Sequence, residues 1–141
     1  MAKPSFVGFQ EKIEIPEGFE LLEINEIING SKNRDELFSL LSQPNLVTKW
    51  LYQVVDFNLK PGGKANFLND DGLPFQAVCT AVDFGKEISF ISDIFGNITA
   101  KINKSKKLFA VDIQFKILTD DANAKSERIQ FSIQKLRELA R

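Results

Sequence analysis

The side chains that most often carry acid–base and nucleophilic chemistry are scarce in this sequence. It contains no histidine and one cysteine, Cys79. Without histidine, Ser–His and Cys–His nucleophilic pairs cannot form, and the commonest metal ligand is missing. Cys79 lies in an apolar run, residues 75–82, where a small thiol filling the core is the expected role. The sequence therefore predicts no catalytic residue, no bound metal and no cofactor, and a single cysteine excludes an internal disulfide.

Carboxylates and one tyrosine are the acid–base groups that remain. Tyr52, Glu87 and Asp112 could each transfer a proton, although no spacing argument brings them together. For Tyr52 we expect an interfacial position with the hydroxyl in water. Residues 70–72, Asp-Asp-Gly, look like part of a calcium loop but lack its alternating acidic positions and terminal glutamate. A hairpin turn is expected there.

Phenylalanine is the side chain that dominates the sequence, with 13 copies among 141 residues. Burying one stabilises a fold by roughly 1.5–3 kcal/mol. Two outcomes fit this content: the rings fill a solid core, or they line a cavity suited to an apolar ligand. The residues predicted to face that interior and contact a ligand are Trp50, Phe57, Phe67, Phe75, Phe90, Phe109, Ile113, Phe115, Ile129 and Ile133.

Periodicity indicates which elements position these side chains. A first strand is predicted over residues 19–28, followed by a short helix capped by Asn33 and Glu36 and a second helix from Pro44 to near Trp50. Two-residue alternation, in which Val55, Phe57 and Leu59 share a face, then predicts strands near 53–59, 63–69, 75–83, 87–92, 96–102 and 107–118. From about residue 122 the period lengthens to that of a helix, with Ile129, Ile133, Leu136 and Ala140 on one stripe.

This order of elements predicts an α+β fold of the helix-grip kind. A curved antiparallel sheet of six to seven strands would surround a long C-terminal helix, with two short helices after the first strand. Residues 1–18, punctuated by proline and glycine, are predicted to be an N-terminal arm. Residues 19–141 are predicted to form a single helix-grip domain.

The chain resembles a pocket-bearing superfamily in the helix ending at Trp50 and in residues 57–64, Phe-Asn-Leu-Lys-Pro-Gly-Gly-Lys. That superfamily includes the birch-pollen allergen and the steroidogenic-acute-regulatory lipid-transfer domain. Within it, residues 58–63 are similar to the branch of the activator of the heat-shock chaperone ATPase, which shows a polar residue, a basic residue and Gly-Gly after the tryptophan helix. Many members begin the last helix with Gly-Trp; here residues 125–128 read Lys-Ser-Glu-Arg, which implies a different pocket wall.

Charge and hydropathy exclude several classes of partner. The 18 Lys and Arg against 19 Asp and Glu give a net charge of -1, so no nucleic-acid partner is expected. The basic run at 101–107 is expected to be a solvated hairpin loop. The sequence predicts no membrane span and no signal peptide, so the expected location is cytoplasmic.

Three functions remain open. The leading one is non-enzymatic binding of a small hydrophobic molecule in a cavity between the sheet and the C-terminal helix. The resemblance implies two alternatives: a co-chaperone-like interaction module with a chaperone as partner, or an enzyme similar to polyketide cyclases. A monomer or a weak homodimer is expected.

Overall fold

The structure, a computed structural model, describes residues 15–141 apart from the Ser105 side chain. The predicted arm, residues 1–18, lies outside the described residues except for its last few positions. No helix within the described range is both long and apolar enough to cross a membrane.

Residues 15–141 fold into seven antiparallel strands and three helices. The strands are β1 (Glu20–Asn29), β2 (Gln53–Phe57), β3 (Lys64–Leu68), β4 (Pro74–Asp83), β5 (Glu87–Ser92), β6 (Gly96–Ser105) and β7 (Leu108–Thr119). The helices are α1 (Arg34–Ser42), α2 (Pro44–Val47) and α3 (Ala122–Ala140). The sheet order is β1-β7-β6-β5-β4-β3-β2, so β1 beside β7 is the one departure from a simple meander.

The predicted α+β, helix-grip-like arrangement is confirmed. One face of the sheet, the inner face, carries the core, and α3 packs against β1 and β7. The predicted stripe of α3 is buried, with Ile129 5 % exposed and Ile133, Leu136 and Ala140 at 1 % or less. Side chains of β7 alternate as expected: Val111, Ile113, Phe115 and Ile117 are buried in the core.

Helix α1 begins at the predicted capping box. The Asn33 side chain accepts from the Glu36 backbone N–H at 2.8 Å, and the Glu36 carboxylate accepts from the Asn33 N–H at 3.1 Å. These two bonds satisfy backbone donors that a helix N-terminus leaves without partners. Helix α3 is capped in a similar way, because Asp121 Oδ1 accepts from the Ala124 N–H at 3.1 Å.

Trp50 caps the C-terminal end of α1 with a side-chain hydrogen bond. Helix α2 is shorter than predicted and ends at Val47, so Trp50 follows it in a turn. Its indole Nε1 donates to the Leu40 carbonyl oxygen at 2.6 Å. The helical partner of that carbonyl would be residue 44, a proline that has no N–H. The indole therefore supplies the missing donor, and Trp50 is buried at 4 % exposure.

The turn between β2 and β3 explains the Gly-Gly pair. Gly62 has φ +84°, in the region that glycine tolerates best. A Cβ on Gly63 would lie 2.0 Å from the Asn58 carbonyl oxygen. The turn also bonds to β4: the Gly62 N–H donates to Cys79 O and the Cys79 N–H donates to Gly63 O, both at 2.8 Å. These residues thus anchor β4 rather than forming a ligand loop.

The predicted orientation of one side chain in β2, that of Val55, is wrong. Val55 was expected to share the inner face with Phe57 and Leu59, but it is 58 % exposed. The pairing of β2 with β3 shifts register between Val54 and Asp56. Such a bulge adds a residue to one strand and turns the side chains beyond it to the opposite side.

The two turns that could have been mistaken for sites are ordinary hairpins. At 69–73, the Asn69 side chain accepts from the backbone N–H groups of Asp71 and Leu73 at 2.9 Å, and Gly72 has φ +80°. The basic run turns at Lys106, with φ 58°, and its described lysines are exposed. The turn at 69–73 agrees with the predicted hairpin turn. The basic run was predicted to be a loop over residues 101–107, but β6 extends to Ser105, so only Lys106 and Lys107 lie in the turn.

Candidate functional site

Six aromatic rings meet on the inner face of the sheet and form what we call the aromatic cluster. Phe67 stacks on Phe75 with 5.2 Å between ring centroids, and Phe75 meets Tyr52 edge-on at 5.4 Å. These rings come from β3, β4 and the segment before β2. Edge-on and offset contacts at such distances are the favourable geometries for aromatic pairs. The members are Tyr52, Phe57, Phe67, Phe75, Phe90 and Phe95.

Between this cluster and α3 lies a cavity of about 10 Å³, here called the seam cavity. Sites for small molecules usually measure about 300–1,000 Å³, and about 10–15 Å³ accommodates one water. The interior is therefore filled in this conformation, largely by aromatic rings. The residues lining the cavity are Leu51, Tyr52, Ile94, Phe95, Phe115, Ile117, Lys125, Arg128, Ile129 and Ser132.

Arg128 of α3 covers one side of the seam cavity. Its guanidinium binds the Asp70 carboxylate in a two-pronged pair, with Nε–Oδ2 at 2.7 Å and Nη2–Oδ1 at 3.1 Å. Nη1 donates to Ser132 Oγ at 2.6 Å, and Nη2 donates to the Leu51 carbonyl at 2.5 Å. The guanidinium carbon also lies 4.1 Å from the centroid of the Tyr52 ring, a cation–π contact.

Lys125, one turn earlier on α3, lies on the same wall. Its Nζ donates to the Ile94 carbonyl at 2.9 Å. Among residues 15–141, the carboxylates within 4.0 Å of a cation pair with Arg34, Lys116, Arg128 and Arg137, and not with Lys125. The wall therefore carries two cations and one contacting carboxylate, Asp70.

Tyr52 is more buried than its expected interfacial position implied. It is 8 % exposed, because the Arg128 guanidinium and the rings of Phe75 and Phe95 surround it. Burial raises the pKa of its phenol; the charge of Arg128 acts in the opposite direction and that of Asp70 in the same one. The phenol therefore remains protonated at neutral pH and can donate a hydrogen bond.

The structure separates the ten predicted ligand-contacting residues. Phe115 and Ile129 line the seam cavity. Ile113 and Ile133 are buried in the core beside it, and Trp50 packs at the end of α1. Four others belong to the aromatic cluster: Phe57, Phe67, Phe75 and Phe90. Phe109 is half-buried and borders a surface cleft with Arg34 and Lys86.

Several residues of the seam cavity were missed by sequence reasoning. Phe95 was placed in a turn before Gly96, yet it is 3 % exposed because the turn folds back over the sheet. Arg128 was considered only as the last residue of the Lys-Ser-Glu-Arg sequence at 125–128. Its spacing of four from Ser132 was the available signal, because such positions are neighbours on one helix face. The others missed were Leu51, Ile94, Ile117, Lys125 and Ser132.

The possible proton-transfer residues do not converge. Tyr52 lines the seam cavity, whereas Glu87 borders the cleft near Phe109. Asp112 lines a shallow groove of about 610 Å³ on the outer face of the sheet, opposite the core. That groove is wide and polar, with Lys101 and Gln114 among its residues, so it suits a hydrophobic molecule less well than the inner face does. No metal-binding group of three or more acidic or cysteine side chains occurs in the described part of the chain.

No protein-family model matches this sequence, and no curated protein matches it either. Solved structures do share the fold. An AHSA1-like protein from Aeromonas hydrophila has a TM-score of 0.67 at 14 % identity, covering 84 % of this chain and 91 % of that one. Protein MLL2253 from Mesorhizobium loti has a TM-score of 0.68 at 19 % identity, covering 85 % and 96 %.

A protein of unknown function, SA2116 from Staphylococcus aureus, is similar as well, with a TM-score of 0.69 at 9 % identity over 86 % of this chain and 94 % of that one. At such identities the likeness extends to the fold alone. The chain spans nearly the whole length of each of these structures.

Proposed function

We propose that this protein binds a small hydrophobic molecule, without catalysis, between the inner face of the sheet and α3. The observation that carries the proposal is the seam cavity, which lies between the aromatic cluster and α3 and is bordered by polar side chains. Aromatic walls with a few convergent polar groups are typical of small-molecule sites.

Binding requires the seam to open, because about 10 Å³ cannot hold an organic molecule. Two hairpin turns border the seam. The turn at 69–73 reaches Arg128 through Asp70, and the turn at 93–95 contributes Ile94 and Phe95. Movement of these turns would widen the cavity while leaving the strands paired. The fold would then contain a closed, packed form and an open, ligand-bound form.

The neutral dye N-phenyl-1-naphthylamine tests this proposal, because its fluorescence rises in apolar surroundings. We expect saturable binding, with amide shifts centred on Tyr52, Phe95 and Ile129 in ¹H–¹⁵N spectra. Ile129→Ala should tighten binding several-fold by enlarging the cavity it lines. Ile88→Ala is the matched control, since Ile88 is buried at 2 % exposure but does not line the seam cavity. Non-saturable binding, or equal effects of the two variants, would contradict the proposal.

The enzymatic alternative is less well supported. A cyclase-like site needs an acid–base group beside the bound molecule. Of the three residues considered, Tyr52 lines the seam cavity, and burial raises the pKa of its hydroxyl, so it is suited to donate a hydrogen bond rather than to act as a base. The co-chaperone alternative depends on likeness to an AHSA1-like fold and stays a prediction.

A further inference from the structure

We infer that the molecule bound at the seam is an anionic amphiphile, with an apolar or aromatic body and one carboxylate that replaces Asp70 on Arg128. This inference rests on the proposed function and specifies its ligand class. The inference follows from two features: the side chains of Arg128 and Lys125 are fixed by neutral groups, and their one carboxylate partner, Asp70, is largely exposed.

Arg128 is held in place by groups that do not depend on Asp70. The Leu51 carbonyl, Ser132 Oγ and the Tyr52 ring contact one edge and one face of the guanidinium. Ser132 is 2 % exposed, and its position four residues along the same helix fixes it relative to Arg128. The guanidinium is thus oriented to present Nε and Nη2 to a carboxylate, the geometry for which arginine is best suited.

Asp70 is the partner most easily exchanged. Its side chain is 61 % exposed and lies in the hairpin turn between β3 and β4, whereas the Arg128 side chain is 22 % exposed. Ion pairs with a largely exposed carboxylate contribute little to stability. A ligand carboxylate can therefore take the two-pronged position while Asp70 turns into water, and the same movement frees the turn that borders the seam.

Lys125 adds a second attraction for an anion. Its ammonium has three donors, and the one contact described is to the neutral Ile94 carbonyl at 2.9 Å. With Arg128 paired to Asp70 alone, the wall keeps an excess of one positive charge over its contacting carboxylate. A neutral ligand that displaced Asp70 would leave both cations without a contacting carboxylate, whereas a monocarboxylate would replace the one that is lost.

The test compares two molecules of the same shape, 1-naphthaleneacetate and 1-naphthaleneacetamide, as competitors for bound N-phenyl-1-naphthylamine at pH 7. We expect the carboxylate to bind at least about tenfold more tightly, because hydrogen bonds between charged groups are about twice as strong as neutral ones. Asp70→Asn should tighten carboxylate binding about threefold or more by weakening the internal competitor. The same change should tighten binding of the amide less, because the amide gains only the freed turn and no ion pair with Arg128.

Controls separate this site from a general effect of charge. Arg137, on the same helix, forms an ion pair at 2.6 Å with Glu26 of β1, away from the seam cavity. Glu26→Gln should not alter carboxylate affinity, although it removes the same charge as Asp70→Asn. Arg128→Gln should abolish the preference for the carboxylate, whereas Arg137→Gln should keep it.

Two results would overturn the inference while leaving the proposed function intact, since the neutral dye would still bind. One is a preference for the carboxylate below about twofold, including displacement by neither molecule. The other is an Asp70→Asn protein that binds the carboxylate no more tightly than the unaltered protein does. If the neutral dye itself fails to bind, the proposed function and the inference fall together.

Discussion

The buried side chain of Cys79 makes the stability of the fold depend on pH. Its side chain is fully buried, and it occupies the β4 position that the Gly62 and Gly63 backbone holds. Burial raises the pKa of the thiol, because the thiolate would lose its hydration. The unfolded chain loses this proton at the ordinary cysteine pKa, about 8.5, whereas the folded protein keeps it to a higher pH. Between these two pKa values the unfolded state binds fewer protons than the folded state, so the free energy of unfolding falls as pH rises.

We therefore predict that the free energy of unfolding falls above about pH 8.5 partly through Cys79, with a slope of at most about 1.4 kcal/mol per pH unit. Urea unfolding of the unaltered protein and of Cys79→Ala, from pH 7 to 10, measures the difference between the two slopes. The two proteins share all their other ionisable groups, so the contributions of those groups cancel. Parallel pH profiles would show that the thiol environment does not penalise the thiolate.

Among the elements, the turn at 61–63 makes the strongest demand on residue type. Gly63→Ala would place a methyl group 2.0 Å from the Asn58 carbonyl oxygen, a contact with backbone that no side-chain rotation relieves. We expect a loss of about 3 kcal/mol or more in the free energy of unfolding, at the upper end of overpacking costs. Thermal and urea unfolding followed by circular dichroism would measure it.

Gly72→Ala is the matched control for that turn. Gly72 also lies in a hairpin and has φ +80°, but nothing lies within 4 Å of its added Cβ. Its cost should be that of the left-handed conformation alone, about 1–2 kcal/mol. Gly63 is not among the glycines with positive φ, so equal losses in the two variants would mean that a shift of the turn relieves the contact with Asn58.

A helix or strand can be predicted from the sequence when the interactions that form it lie close together in the chain. The capping box of Asn33 and Glu36 acts within four residues, and the sequence was enough to locate the start of α1. The end of α2 and the outward position of Val55 depend on other strands and helices. Trp50 leaves the helix to reach Leu40, and the bulge at Val55 exists only in the pairing with β3. Neither the Trp50–Leu40 hydrogen bond nor the bulge leaves a recognisable pattern in the neighbouring sequence.

At the scale of the whole molecule, the contact between α3 and the sheet should dominate stability. Leu136 is fully buried in the core, so Leu136→Ala should lower the free energy of unfolding by about 2–5 kcal/mol. Phe131→Ala on the opposite side of α3, where the ring is 55 % exposed, should cost less than about 1 kcal/mol. Urea unfolding of the two variants measures both losses in free energy. Similar losses would contradict the conclusion that the packing of α3 on the sheet dominates stability.

The sequence indicated the helix grip because periodicity is repeated along every element. It predicted a cavity between the sheet and the last helix but not the residues around it, where Leu51, Asp70, Ile94 and Arg128 meet from distant parts of the chain. Taken alone, each of these residues is an ordinary turn or surface position. Their meeting is a property of the folded chain, and the packing of the aromatic rings that leaves only a small cavity depends on volumes that alternation does not encode.

The pairing of β1 with β7 has a consequence for synthesis. Residues 20–29 pair with residues 110–119, so the first strand waits on the ribosome until almost all of the sheet has been translated. During that interval its unsatisfied backbone is open to mispairing with nascent neighbours. Distant partners of this kind also slow folding, which lengthens the time for which this strand is exposed.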